Sequence, residues 1–494
     1  MRFTKALIIT LPRLEPHRPP VSSAIIGAVA KKHISEVISL DLNIDLYHAN
    51  RMLFDSLDGI LDGYRQPSDD EKRYIASFVQ DNAAKIKDIA PDLILISVFS
   101  FTTHYFTKLL LEALKDVDAV KIIGGQGVYV PELSRQEERN FFGEVMLAQG
   151  LIDHYVVGEG EGVIESFLKG KADIPGLDNA NKSQVMDLNN APWPDYSLFD
   201  MSKYDYLNDE KEVFITGSRG CVRKCTYCDV PYLWPKFRWR DGSNIADEMI
   251  SHYEKHGVTR FYFTDSLING SLKAFTDMCN RLAAYRFSPG IRWGGQFICK
   301  PRNQISDEYF DMIAAAGAEQ FYIGIETGSD RVRWSMDKKF TNDDIEYHLE
   351  QFSRTKLGMF FLMLVGYVTE TPEDHAETMA MFPRWQRYVA DGTIKAIDLG
   401  PTLIVMANTP LDSMREELGI RFLNGDPKSW VADCNPDLTI KERIRRRIEV
   451  HKQAIDYCWP IWRGASRLLT IKDLITGVSQ EPRIKYQVNG NLDR

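Results

Sequence analysis

Of all the side chains in this sequence, its seven cysteines say most about chemistry: Cys221, Cys225, Cys228, Cys279, Cys299, Cys434 and Cys458. Three lie within eight residues and the others are scattered, which is wrong for a disulfide framework and suits a single metal site in a reducing compartment. The C-x3-C-x2-C spacing lets three thiolates converge from one loop while leaving one coordination corner open. A structural zinc site normally recruits a fourth Cys or His close by, and none follows within twenty residues of Cys228. A [4Fe–4S] cluster with one unique iron would instead hold a substrate or cosubstrate at that corner. Arg219, Arg223 and Lys224 add positive charge that favours thiolate and offsets an anionic cluster. The competing reading is a zinc loop in a non-catalytic, partner-binding protein.

Something must present such a loop, and the surrounding pattern predicts a barrel. Val213–Thr216, Arg260–Thr264, Ile291–Gly294, Gln320–Ile325, Gly358–Val365 and Ala396–Val405 read as six strands, spaced by helical stretches such as Asn244–His256 and Ser271–Tyr285. Six βα units closing partly on themselves give a (β/α)6 barrel, whose chemistry sits at the strand C-terminal ends. The cysteine loop follows the first of these strands directly.

Residues 1–170 show an earlier alternation. Lys5–Leu11, Ile34–Leu40, Leu93–Ser97, Val120–Ile123 and Tyr155–Val157 read as buried strands separated by helical periodicity, the signature of a doubly wound, Rossmann-like parallel sheet. Its ligand-facing loops would be Pro12–Ser23, Phe99–His104, Gly124–Pro131 and Gly158–Gly162. A stretch rich in Asn, Asp, Pro and Ser marks a linker over 171–206, which sets the barrel at 207–415. The remainder, 416–494, reads as helical, with Thr439-Ile440-Lys441-Glu442 as a capping box. Ile440, Ile444, Ile448 and Ile455 form an apolar stripe, and Arg443, Arg445, Arg446 and Arg447 are expected on a solvated face. Trp430, Trp459 and Trp462 either cover the barrel mouth or belong to the core.

Composition narrows the function classes. With 494 residues the chain is about three domains' worth, and 44% hydrophobic with 26% charged residues is ordinary globular usage. Sixty basic against 69 acidic residues give a net charge of −9, contrary to what non-specific nucleic-acid or anionic-membrane binding favours. The longest apolar runs, Met359–Val368 and Leu93–Phe101, are too short to span a bilayer. The N-terminal apolar stretch ending at Pro12 reads as a strand rather than a signal, so a cytoplasmic location is expected.

With Tyr227 just before its last cysteine, the C-x3-C-x2-C loop after strand one of a six-fold barrel resembles the radical S-adenosylmethionine superfamily. The resemblance implies that Cys221, Cys225 and Cys228 ligate a [4Fe–4S] cluster whose fourth iron is chelated by the amine and carboxylate of S-adenosylmethionine. One electron then cleaves the sulfonium, and a 5′-deoxyadenosyl radical abstracts hydrogen. Family-like segments follow in order: Phe263-Thr264-Asp265, Gly324-Ile325-Glu326-Thr327-Gly328-Ser329, Gly366 to Asp374, and Asn408-Thr409-Pro410-Leu411. They imply that Tyr227, Asp265, Glu326 and Gly366 bind the nucleotide. Strand-end carboxylates face a barrel mouth, so Asp265 and Glu326 suit an ammonium or ribose hydroxyls, with helix capping as the bland alternative for each. Two departures stand out: Asp265-Ser266-Leu267 replaces the common Gly-Gly-Glu, and Gly366-Tyr367-Val368-Thr369-Glu370-Thr371 replaces Gly-x-Pro-Gly-Glu-Thr.

The N-terminal region resembles the cobalamin-binding-like domain of one branch of that superfamily, through Ser97, Gly124-Gly125-Gln126 and Val157-Gly158-Glu159-Gly160-Glu161. This implies cobalamin contacts from Ser97, Gly124, Gly125, Gly158 and Glu159, small residues leaving room for the corrin's nucleotide tail; a tight βα turn is the bland alternative for Gly124-Gly125. No Asp-x-His-x-x-Gly occurs, so no histidine of that motif would sit beneath cobalt. The function implied is a cobalamin-dependent radical methyltransferase or related radical carbon chemistry, with a cobalamin-free radical enzyme as the alternative. A small-molecule or peptide substrate and an electron donor such as flavodoxin or ferredoxin are the implied partners, without membrane or nucleic acid. Methylthiotransferases carry an N-terminal cysteine trio, whereas here no cysteine precedes Cys221. No catalytic acid or base is assigned.

Overall fold

The computed structural model describes residues 3–61, 65–129, 141–179, 182–400, 402–423 and 425–462. Parts of the predicted segments lie outside the described residues: 130–131 of one ligand-facing loop, 180–181 of the linker, 401 of the last barrel strand and 463–494 of the C-terminal segment. The described chain divides into two compact units, one of residues up to 214 with 252–258 and one of 215–251 with 259–462.

In the first unit, β1 (Lys5–Thr10), β2 (Glu36–Asp41), β3 (Leu93–Ser97), β4 (Val120–Gly124) and β5 (His154–Val156) form a parallel sheet in the order β2-β1-β3-β4-β5. β1 and β3 are buried along nearly their whole length because helices cover both faces, which is why they read as continuous apolar runs. Ala6, Ile8, Leu93, Leu95, Ile122 and Val156 pack on one face with Val29 and Ala30 of helix Val21–Lys31 and Val163 and Ile164 of helix Gly160–Leu168. The order reverses between β1 and β3, the switch point where open α/β sheets accept ligands.

The second sheet is built from β6 (Glu212–Ile215), β9 (Arg260–Phe263), β10 (Arg292–Phe297), β11 (Ala318–Glu326), β12 (Gly358–Met363) and β13 (Ile394–Asp398), with two short strands, β7 (Ser218–Arg219) and β8 (Arg238–Trp239), between the first two. The six long strands make one sheet in the order β13-β12-β11-β10-β9-β6. On β11, Phe321, Ile323 and Ile325 are fully buried, while the alternate Gln320, Tyr322 and Gly324 are partly exposed on the opposite face. Among the described residues no ladder joins β13 to β6. The β13 edge instead pairs with Ile461, through Ile397 N–H to the Pro460 carbonyl at 2.8 Å and Trp462 N–H to the Ile397 carbonyl at 2.9 Å. This covers an otherwise open edge.

The last barrel strand differs from its expected span: it ends at Asp398, and residues 399–400 and 402–405 are irregular. Gly400 adopts φ +39 there, a conformation that takes the chain out of the ladder. After the sheet the segment expected to be helical instead begins with an antiparallel ribbon of β14 (Ile420–Leu423) and β15 (Asp426–Ala432), where Trp430 and Ala432 alternate inward, before helix Ile440–Asp456. Two expectations for this helix are corrected. Thr439 caps the Glu442 N–H, but the Glu442 carboxylate turns to Arg445 and Arg446 rather than completing a box. Arg443, Arg446 and Arg447 are buried, and only Arg445 lies on a solvated face. Trp430 and Trp459 are core residues; Trp459 packs edge-on against Phe361 and Phe382. No described helix is long and apolar enough to cross a membrane.

Candidate functional site

The cysteine loop is hung from a small antiparallel clasp. Ser218 and Arg219 of β7 pair with Trp239 and Arg238 of β8, closing the base of loop 220–237. Gly220 adopts φ +84 there, and a Cβ would lie 2.9 Å from the Lys236 carbonyl, so the clasp needs glycine. Asp265 fixes the approach to the loop: one oxygen accepts from Gly217 N–H at 2.9 Å and the other from Ser218 Oγ at 2.6 Å. Burial pushes its carboxyl up to about 6 against these two hydrogen bonds. Both Asp265 oxygens are thus engaged within the protein, by the chain leading into the cysteines.

The far end of the loop is tied to the strand-four and strand-five edges. Thr226 N–H donates to the Met336 carbonyl at 3.1 Å, its own carbonyl accepts from Leu411 N–H at 2.8 Å, and its hydroxyl lies 2.7 Å from that of Tyr367. Tyr227 donates its hydroxyl to Glu326 Oε1 at 2.7 Å, and Lys338 Nζ donates to the same oxygen at 2.9 Å. Tyr227, Glu326 and Lys338 therefore form one largely buried cluster beside the thiols. Burial works against the Lys338 charge, but Glu326 and the nearby thiols hold its pKa above the ordinary value.

Glu326 is not a helix cap: the following helix, Asp330–Ser335, starts at Ser329. It sits at a register shift between β11 and β12 and adopts φ +67, a conformation rare outside glycine. Arg333, fully buried, bonds the Thr327 carbonyl, Asp330 and Asn342, and Asn342 bonds the Gly328 carbonyl, so the turn after Glu326 is held from below. Strained backbone held this firmly is typical of functional sites. Both bonds to Glu326 fall on Oε1, and among the described residues none donates to Oε2.

All three thiols are free, with Cys225 buried and Cys221 and Cys228 half-buried. Burial pushes Cys225 up to about 11, with Lys338 opposing and Glu326 adding to the rise. Burial also raises Cys221 and Cys228; at Cys221 the Arg223 N–H, 3.4 Å away, and the charges of Lys338, Arg223 and Lys300 counter it. Among the described residues no group of three or more His, Cys, Asp or Glu could hold a single metal ion. Three thiols on one loop have the chemistry of ligands that each take a different iron of a cluster. Cys279 and Cys299 are core thiols, and Cys434 and Cys458 are exposed.

Gly366 lies in the loop after β12 at φ +81, with its N–H donating to Glu370 Oε2 at 3.1 Å. Lys338, Arg333 and Tyr367 are the participants that reasoning from sequence missed. Lys338 and Tyr367 lie in irregular stretches, and nothing in their spacing marked them; the full burial of Arg333 is visible only in the folded chain.

At the sheet edge of the first unit, hydroxyls gather around the switch point. Ser97 Oγ at the end of β3 lies 3.0 Å from Ser22 Oγ, and Thr10 Oγ1 at the end of β1 lies 2.7 Å from Ser23 Oγ. Gly124 ends β4, beside Val156 of β5. The room expected at two other glycines is filled by the chain itself. A Cβ on Gly125, at φ +119, would meet the Val98 carbonyl at 2.4 Å, and one on Gly158, at φ +94, would meet the Ser183 carbonyl at 2.4 Å. Both glycines serve tight turns. Glu159 is buried and accepts from Val185 N–H at 2.6 Å, binding the linker rather than facing an open edge.

Comparison with known proteins matches residues 215–382 to the Radical SAM superfamily. The chain is 25% identical over 382 residues to the cytidylyl-2-hydroxyethylphosphonate methyltransferase of Streptomyces wedmorensis, covering 69% of this chain and 67% of that protein. It spans less than half the length of several other curated relatives. Among solved structures, the cobalamin-dependent S-adenosylmethionine radical enzyme OxsB with aqua-cobalamin bound superposes with a TM-score of 0.64 at 14% identity, over 92% of this chain and 67% of that one. The radical S-adenosylmethionine methyltransferase TsrM of Kitasatospora setae, with tryptophan and a nucleotide analogue bound, gives 0.57 at 17% identity, over 85% and 77%. Residues 215–382 thus match the radical SAM family model, and the chain as a whole shares the fold of those two enzymes.

Proposed function

We propose that this protein is a radical S-adenosylmethionine enzyme in which Cys221, Cys225 and Cys228 hold a [4Fe–4S] cluster. The carrying observation is three free thiols on one clasped loop, beside a buried Glu326–Lys338 pair. When bound, such a cluster supplies one electron to S-adenosylmethionine chelated at its open iron, yielding a 5′-deoxyadenosyl radical. The protein's own residues have distinct tasks. The thiols lose their protons to become ligands, aided by the positive charge of Lys338 and Arg223. Glu326 offers Oε2 to the nucleotide's ammonium or ribose while Oε1 stays committed to Tyr227 and Lys338. Asp265 keeps the loop entry in place, and Gly366, packed against Arg443, sets the path of the loop after β12. A protein electron donor and a small-molecule or peptide substrate complete the scheme. Metal analysis tests it: anaerobically reconstituted wild type should hold about four irons per chain and the triple alanine variant none, whereas unchanged iron in that variant would refute the assignment.

Within this reading we favour methyl transfer with cobalamin on the first unit, because the Streptomyces relative and TsrM are named as methyltransferases and OxsB as a cobalamin-dependent radical enzyme. Ser97 and Gly124 at the strand ends, with Ser22 in the first turn of helix Val21–Lys31, suit a bulky polar ligand, whereas Gly125, Gly158 and Glu159 are occupied internally. Cobalt retained after hydroxocobalamin titration and desalting is the expected result. Loss of all cobalt, with nucleotide cleavage intact, would leave the cobalamin-free radical enzyme.

A further inference from the structure

Loop 366–371, which carries Gly366, is held from outside the barrel sheet. Arg446 Nη1 donates to Glu370 Oε1 at 2.8 Å, to the Glu370 carbonyl at 3.1 Å and to the Thr371 carbonyl at 3.2 Å. Asn435 Nδ2 donates to the carbonyls of Val368 at 3.2 Å and Glu370 at 2.9 Å. The second Glu370 oxygen accepts from Gly366 N–H, so the Arg446–Glu370 pair also shapes the start of the loop. The side chains of Arg446 and Glu370 are only 4% and 2% exposed.

Arg443, one turn earlier on the same helix, forms the floor. A Cβ on Gly366 would lie 2.7 Å from Arg443 Cγ. The Arg443 guanidinium is itself held by the Leu438 carbonyl at 2.8 Å and the Trp430 carbonyl at 3.1 Å, over the Trp430 ring at 3.7 Å. Burying two arginines on one helix face is expensive, and aliphatic side chains would pack there at less cost. What arginine adds is a set of donors able to reach the carbonyls of a loop that belongs to no helix or strand.

We propose that Arg446, with Arg443 beneath Gly366, is a positioning residue of the nucleotide site: helix Ile440–Asp456 fixes loop 366–371 in the conformation that receives S-adenosylmethionine. This rests on the reading of the barrel as a nucleotide-cleaving site. The geometry gives the C-terminal segment a part in cofactor binding without any contact between its arginines and the ligand.

The test uses the full chain, reconstituted with iron and sulfide, and measures hydrogen exchange over 366–371 and the S-adenosylmethionine dissociation constant by equilibrium dialysis. Arg446→Met should speed exchange in that loop and weaken nucleotide binding about tenfold or more, with iron content unchanged. Arg446→Lys should recover part of both, and Arg445→Met, on the solvated face of the same helix, should alter neither. Because Arg446→Met strands a buried carboxylate, Arg446→Met/Glu370→Gln carries the test if the single variant folds poorly. That double variant should regain thermal stability but not nucleotide affinity. Wild-type affinity and loop protection in Arg446→Met would overturn the proposal. So would full recovery of affinity in the double variant, since Arg446 would then serve only to neutralise Glu370. If wild type takes up iron but no nucleotide, the parent reading fails, while exchange in Arg446→Met still reports whether the helix holds the loop.

Discussion

Glu326 combines a left-handed backbone, burial and a shared hydrogen-bonding oxygen, and each has a consequence that can be measured. Glu326→Gln keeps the shape but removes the charge offered to a ligand. S-adenosylmethionine binding should weaken by about 1.5–3 kcal/mol, the range of a charge-assisted hydrogen bond, with the iron content of the protein unchanged. Equilibrium dialysis decides it, and an unaltered dissociation constant would confine Glu326 to its pairing with Lys338. Lys338→Met should destabilise the fold by about 3–5 kcal/mol, because it leaves a buried carboxylate without its cation. Lys338→Met/Glu326→Gln should recover much of that loss in denaturant melts. Asp265 behaves differently with pH. Its folded-state pKa is about 6 against 3.8 unfolded, so the native state binds the proton more tightly and its contribution to stability falls as pH rises from about 4 to about 6. Asp265→Asn removes that penalty. The variant should gain stability over wild type across this window, on the order of 3 kcal/mol in total, and hold the gain at higher pH. A difference independent of pH would mean that Asp265 is not protonated in the native state.

The turn between β4 and the next helix shows how an element can mislead about a site. Gly124-Gly125 looks like room for a ligand, yet Gly125 is packed against Val98 and Val98 N–H donates to the Gly124 carbonyl at 2.7 Å. Gly125→Leu should therefore destabilise the first unit by about 1–3 kcal/mol or more through backbone strain alone. Loss of cobalt in that variant would be ambiguous. A substitution at Ser97, where only a hydroxyl pair is broken, is the better probe of the sheet edge. The C-terminal helix teaches the converse. Its isoleucine stripe marks a packed helix, but its arginines enter the interior because the ribbon and the loops after β12 and β13 offer carbonyls there.

The two compact units give the clearest prediction for the complete chain. If each binds its own cofactor, metal contents should separate: the triple cysteine variant should lose iron and retain cobalt after hydroxocobalamin treatment. Parallel iron and cobalt analysis of the full-length protein measures both at once. Joint loss of both metals, with the far-ultraviolet dichroism of wild type, would show that cobalt uptake depends on the cluster loop and that the units do not load independently.

The strands of the two parallel sheets, the cysteine trio and the barrel that presents it were legible from spacing alone, whereas the β7–β8 clasp and the β14–β15 ribbon were not. Parallel strands covered on both faces must be continuous apolar runs, and three thiolates within eight residues cannot be far apart. Local signals also marked Asp265 and Glu326 as strand-end carboxylates, since strand ends follow from periodicity. What each carboxylate faces was not legible. Hydrogen-bond partners such as Ser218, Tyr227 and Lys338 reach these carboxylates across the sheet from loops with no periodicity, and a carboxylate's role is set by which of its oxygens those partners consume. Likewise, the arginines at 443, 446 and 447 read as solvated because charge normally seeks water. Only the folded chain, by placing carbonyls and Glu370 within reach, made the interior their more favourable place.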